Sequence, residues 1–144
     1  MTEFARDLLE MTRSEALRPV YPGKWSPLQI GSHLVLTNRL FADAVAGFLD
    51  SGEPLELPKG SLSAAGTMVA PEMTVPRDLP EPEDAARDLQ LGAAELVRQV
   101  IRSQESGVAD RICLVHPFFG PLNAIECLQL ALVHVRHHQR QMPL

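Results

Sequence analysis

Aromatic residues make up only 5% of this chain, and just two of its residues are cysteines. With few aromatics, and with Gly and Pro gathered into a few stretches, long segments rich in Leu, Ala and Val remain, which favours helices over a many-stranded β fold. Cys113 and Cys127 form neither a C-x-x-C pair nor a dense framework. They fit reduced thiols of a cytosolic protein, with a disulfide left open. Positive charge is also short: 13 Lys and Arg against 18 Asp and Glu leave a net charge of −5, and no basic footprint suited to nucleic-acid phosphates. No apolar run approaches the roughly 18 residues that a membrane span needs. The start MTEFARDLLEMTR lacks the basic and continuous apolar regions of a secretory signal. The expectation is a cytoplasmic protein with neither nucleic acid nor membrane as partner.

What is present is enough for a core. A chain of 144 residues, 45% hydrophobic and 22% charged, is expected to fold as one domain over residues 1–144. Phe4, Leu8, Met11 and Leu17 mark a first helix over residues 2 to 18, in one or two pieces, stopped by Pro19 and Pro22. Trp25-Ser26-Pro27-Leu28-Gln29-Ile30 starts a second. Ser26 reads as N-cap, Pro27 as the first helical residue, Gln29 as the partner in a capping box, and Trp25 as a staple onto Ile30. That helix runs to Leu49 and buries Ile30, Leu34, Thr37, Phe41 and Phe48.

Residues 51–82 hold six of the twelve prolines and no helical period, so they read as a long connection serving as a lid or as a subunit contact, the latter implying a homodimer. A third helix is expected over Asp84 to Gln104, with Leu89, Ala93, Leu96, Val97, Val100 and Ile101 on its period. Residues 105–122 form a second connection with an extended piece at Ile112 to Val115. The last helix, capped by Asn123 with Glu126 at its third position, reaches Gln141. The fold class that follows is all-α, a four-helix bundle with long connections and no internal repeat.

The chemistry lies in the histidines. His134 and His138 are four apart on the last helix, hence on one face, but His137 also lies near it, and spacing alone does not separate them. The apolar pattern does. At about 100° per residue, Ala124, Cys127, Leu128, Ala131 and Val135 define an inward sector that contains His138, borders His134 and leaves His137 at its rim. The same arithmetic places His33 with Ile30, Thr37 and Ala44 on the buried stripe of the second helix. A lone i,i+4 pair is more often two unrelated surface residues, and a lone inward His is more often a hydrogen-bonded core residue. Three at core-facing positions are another matter, because an unpartnered buried imidazole is costly. The expected metal ligands are therefore His33, His134 and His138, with open positions for water or substrate. His137 and Gln141 are candidates to orient them. Val135 and Arg136 follow His134, so the Glu of a zincin H-E-x-x-H is missing. Cys127 reads as packing, and His116 as part of a turn.

These segments resemble a known family. Trp25-Ser26-Pro27-Leu28-Gln29-Ile30-Gly31-Ser32-His33-Leu34 is similar to the W-S-x-x-E-I-x-x-H-L segment of DinB-like proteins, and His134-Val135-Arg136-His137-His138-Gln139-Arg140-Gln141 to their terminal H-x-x-H-H-x-x-Q. His116-Pro117-Phe118-Phe119-Gly120-Pro121-Leu122 resembles the H-P-x-F-G lead of one subgroup. The resemblance implies a four-helix bundle with a divalent metal held by His33, His134 and His138. It further implies a small-molecule substrate and, in characterised relatives, transfer or isomerisation with a low-molecular-weight thiol as cosubstrate. Gln29 stands where the family often has Glu, which bears on capping more than on ligation. A thiol-dependent S-transferase is the first expectation. A metal-dependent hydrolase and a non-catalytic metal- or ligand-binding bundle are the alternatives, and the ion is open among Zn, Ni, Cu, Fe and Mn.

Overall fold

The computed structural model describes residues 1–143. The helices are α1 (Thr2–Glu10), α2 (Arg13–Ala16), α3 (Pro27–Ser51), α4 (Pro82–Glu105) and α5 (Ala124–Gln139). The first expected helix is thus two pieces. The break falls at Thr12, whose hydroxyl accepts from Glu15 N–H while the Glu15 carboxylate accepts from Thr12 N–H, starting α2 afresh. The bundle is made by α3 against α4 and α5, with α1 laid on α3 and α4.

The ends of α3 are set by local chemistry. Ser26 Oγ accepts from Gln29 N–H at 3.2 Å and Ser26 N–H donates to Gln29 Oε1 at 2.8 Å, so Gln29 closes the expected capping box. Gly52 stops the helix with φ +74°, its N–H donating to the Phe48 carbonyl. At α5, Asn123 and Glu126 repeat the reciprocal box at 2.9 and 3.0 Å. Helix starts fixed this tightly determine which way each later side chain points.

Two apolar clusters fill the interior. One gathers Phe4, Leu8, Leu28, Leu34, Leu89 and Val135; the other gathers Phe41, Val45, Leu96, Leu114, Cys127 and Ala131. Each fully buried Leu or Phe is worth about 1.5–3 kcal/mol over its exposed state. Ala131 and Val135 belong to different clusters, so His134, between them in sequence, sits at the junction.

The buried face of α4 departs from the expected one in part: Leu89, Leu96 and Val100 lie inside as expected. Val97 and Ile101 are 42% and 48% exposed, and the buried positions there are Leu96, Gln99, Val100 and Ser103. The buried polar pair is satisfied locally, Gln99 Nε2 donating to Glu95 and Ser103 Oγ to the Val100 carbonyl, which removes the cost of choosing that face.

The connections carry a small sheet beyond the expected helices, in the order β1-β2-β3: β1 (Leu55–Glu56), β2 (Ile112–His116) and β3 (Gly120–Asn123). β1 pairs parallel with β2, and β3 antiparallel with it. Residues 51–82 otherwise contain a bridge between Leu62 and Met68 and a single 3-10 turn, Glu72–Thr74. This segment roofs a cleft of about 660 Å³ whose floor includes Val35, Leu36 and Arg39 of α3. No helix among the described residues is long and apolar enough to cross a membrane.

Ser26→Ala removes one half of the α3 box and is expected to lower unfolding stability by about 0.5–2 kcal/mol in urea titrations. An unchanged midpoint would mean that packing alone, and not the cap, starts α3.

Candidate metal centre

His33 comes seven residues after the Ser26 cap, on the buried face of α3, and is 5% exposed. Its Nδ1 lies 2.8 Å from the carbonyl oxygen of Thr74, the end of the 3-10 turn in the long connection. A carbonyl only accepts, so Nδ1 carries the proton and Nε2 presents a lone pair. Trp25 stands 5.0 Å from the His33 ring, centroid to centroid, and packs against the first apolar cluster. Thr37 Oγ1 donates to the His33 carbonyl at 3.0 Å.

From α5, His134 and His138 meet it. His134 Nε2 is 3.1 Å from His33 Nε2 and 3.1 Å from His138 Nε2, and one nitrogen from each of the three rings lies within 4.8 Å of the others. His138 Nδ1 donates to Gln141 Oε1 at 2.7 Å, which again turns a lone pair at Nε2 toward the cluster. The Gln141 amide nitrogen faces His137 Nε2 at 3.5 Å. His137 itself is exposed, lies outside the cluster and stacks edgewise on His138 at 5.1 Å. The structure thus brings His33, His134 and His138 together, leaves His137 at the rim, and sets Gln141 as the brace of His138.

Cys127 is buried in the second apolar cluster, with its sulfur beside Cys113. His116 ends β2 and braces the turn that follows: its Nδ1 accepts from the backbone N–H groups of Phe118 and Phe119 at 3.1 and 3.3 Å. Thr74 is the contributor that sequence reasoning missed. Its part is played by a backbone carbonyl, which any residue type supplies, so no side-chain signal could have marked it.

A family model for the DinB superfamily matches residues 3–142. The chain belongs to the DinB superfamily. A solved structure described as "TT2238, a four-helix bundle protein" is similar over 96% of this chain and 90% of that one, with a TM-score of 0.61 at 20% sequence identity. That likeness speaks for the four-helix bundle. A search among curated proteins finds no match.

In this DinB-superfamily chain the three rings cannot satisfy one another. His33 and His138 commit their protons outward, so His134 Nε2 faces two lone pairs and has at most one proton to share. His134 Nδ1 is buried with no partner, and a proton placed on either nitrogen leaves a polar atom unmatched. A cation among the three Nε2 atoms resolves the clash of lone pairs and places the His134 proton on Nδ1. The two separations that meet at His134 suit an ion: ligands at about 2.1 Å from one ion stand about 3.0 Å apart at right angles and about 3.4 Å apart in a tetrahedron, and both 3.1 Å separations fall between, while all three ligand atoms lie within 4.8 Å of one another. No Asp, Glu or Cys joins the three in the cluster, among the described residues.

The electrostatics favour neutral rings. Burial, reinforced by the neighbouring His33 and His138, holds His134 down to about 3. Burial holds His138 at about 4 against the opposing Gln141 hydrogen bond, and lowers His33 against that from Thr74. Neutral imidazole is the form that ligates.

In metal-free protein this sets a pH dependence. The unfolded chain takes up these protons near the ordinary value of 6.5, whereas folded His138 and His134 resist until about 4 and about 3. Between those limits the unfolded state binds more protons, so stability falls as pH drops through the window; above it both states are neutral and the contribution vanishes. Chelator-treated protein should show a urea midpoint that declines from about pH 6.5 to about pH 5, and His134→Leu should flatten the decline. An equally steep decline in His134→Leu would assign it to other groups.

Proposed function

We propose that the protein is a metal-dependent enzyme in which His33, His134 and His138 hold one divalent ion, and that its first activity is transfer of a low-molecular-weight thiol to a small electrophilic substrate. The observation that carries this reading is the convergence of three Nε2 atoms whose outward nitrogens are committed or buried without a partner. A divalent ion held there supplies Lewis acidity, lowering the pKa of a thiol or water that reaches it so that the nucleophile exists near neutral pH.

The chain's own residues do the rest. Thr74 and Gln141 fix the tautomers and ring planes of His33 and His138, so the two Nε2 atoms are aimed before anything binds. Burial keeps the rings unprotonated. Trp25 covers His33 with an apolar surface that limits water on that side. A thiol acidified by a bound ion would need no further base, whereas hydrolysis profits from a carboxylate. None joins the cluster among the described residues, which puts hydrolysis second.

The test is to strip the protein with chelator and reload it separately with Zn, Ni, Fe(II) and Mn. Bound metal is then measured, and thiol transfer to a model electrophile is followed. One ion per chain is expected, with thiol consumption only in loaded protein. His138→Ala should abolish stoichiometric binding, Gln141→Leu should weaken it by about 10–100-fold through loss of ring orientation, and His137→Ala should cost less. Stoichiometric binding with no turnover by any ion and thiol would support a non-catalytic metal-binding bundle instead. Retained binding in His138→Ala would refute the ligand set.

A further inference from the structure

Cys113 and Cys127 are not a casual pair of core thiols. Along β2 the register shifts by one residue: Ile112 pairs with Asn123 and Leu114 with Leu122, so Cys113 is the extra residue of a bulge. A regular strand would send Cys113 and Leu114 to opposite faces. The bulge turns both inward, at 1% and 0% exposure, and brings Cys113 Sγ to 3.9 Å from Cys127 Sγ on the second turn of α5.

We propose that Cys113 and Cys127 are a redox-modification site, a buried dithiol that hydrogen peroxide or a similarly small hydroperoxide converts to an intramolecular disulfide pinning β2 to α5. A disulfide needs its sulfurs about 2.05 Å apart, and rotation of the two short side chains covers the remaining distance. Burial selects the oxidant. A sulfur with almost no exposed surface is reached by a water-sized peroxide but not by a bulky disulfide, which must line up for displacement.

The two sulfurs take different parts. Cys113 is the more acidic, because the hydrogen bond from the Cys127 thiol favours its thiolate against the opposing effect of burial. Cys127 is pushed up by that same hydrogen bond and by burial. Cys113 therefore attacks one peroxide oxygen, the O–O bond breaks, and the departing hydroxide leaves as water with the proton that Cys113 released. Cys127 sulfur then displaces the hydroxyl of the resulting sulfenic acid, forming the S–S bond, while its own proton leaves with that hydroxyl as a second water. Two thiols and one peroxide give one disulfide and two waters, the sulfurs losing the two electrons that the peroxide gains.

The bond would close a span of 14 positions that contains β2 from Cys113 onward, the turn and all of β3. It would also anchor the start of α5, which carries His134 seven residues later, about 10 Å along the axis.

The experiment treats the purified full-length chain with graded hydrogen peroxide, alkylates the remaining thiols and maps the peptides. We expect a Cys113–Cys127 cross-linked peptide from monomeric protein, and a melting midpoint raised by several degrees that dithiothreitol reverses, because the cross-link restricts the unfolded chain. In Cys127→Ala the same dose should add oxygen to Cys113 instead. Thiols that stay reduced at a dose that oxidises the urea-unfolded chain would overturn the proposal. So would oxygen added to wild-type sulfur without a cross-link, disulfide between two chains, or a midpoint that does not rise. The wild-type map decides the matter even if Cys127→Ala fails to fold.

Discussion

Two imidazole nitrogens, each within hydrogen-bonding distance of a third, and too few protons to bond them, form the constraint around which this fold is arranged. His33 and His138 donate their N–H hydrogen bonds to the Thr74 carbonyl and Gln141 Oε1, and His134 has a buried nitrogen with nothing to meet. Burial makes the usual escape, protonation, unfavourable. Left to themselves the rings should separate or admit water. Held as they are, they form a preorganised set of donors for a divalent ion, which is the proposed centre.

Each supporting element can be understood by what it does for that set. The Ser26–Gln29 box sets the phase of α3 and so the direction of His33; the Asn123–Glu126 box does the same for α5. The proline-rich connection supplies Thr74 and roofs the cleft beside α3, so a segment with almost no regular structure carries one end of the hydrogen-bond chain. Sequence and backbone divide the labour. The helices bring side chains from positions 33, 134 and 138 together, and the loop and the last turn orient them.

The parts legible in the sequence were those governed by short-range chemistry. Ser26, Pro27 and Gln29 announce a helix start because capping involves residues three apart, and the inward turn of His33, His134 and His138 follows from helical period counted against apolar neighbours. The match to the DinB superfamily spans residues 3–142, these segments included. On α4 periodicity found Leu89, Leu96 and Val100 but not the outward turn of Val97 and Ile101, which look as apolar as the residues that are buried; which face packs depends on neighbours far away in sequence and on Gln99 and Ser103 finding local partners. The strands β1 and β3 were illegible because two and four residues are too few to show alternation, and Gly120-Pro121 reads as a turn. Of the connection, its lack of long helices was legible. The Thr74 carbonyl was not, since a backbone group leaves no mark on composition.

X-ray absorption at the metal edge of reloaded protein tests the central claim most directly, because it reads the atoms around the ion without relying on activity. A single site is expected, with three imidazole nitrogens at about 2.0–2.2 Å and at least one further light-atom ligand from water or an added small molecule. The imidazole count should fall in His33→Ala and stay at three in His137→Ala. A spectrum with sulfur in the first shell, with fewer than two imidazoles, or unchanged when His33 is removed would contradict it.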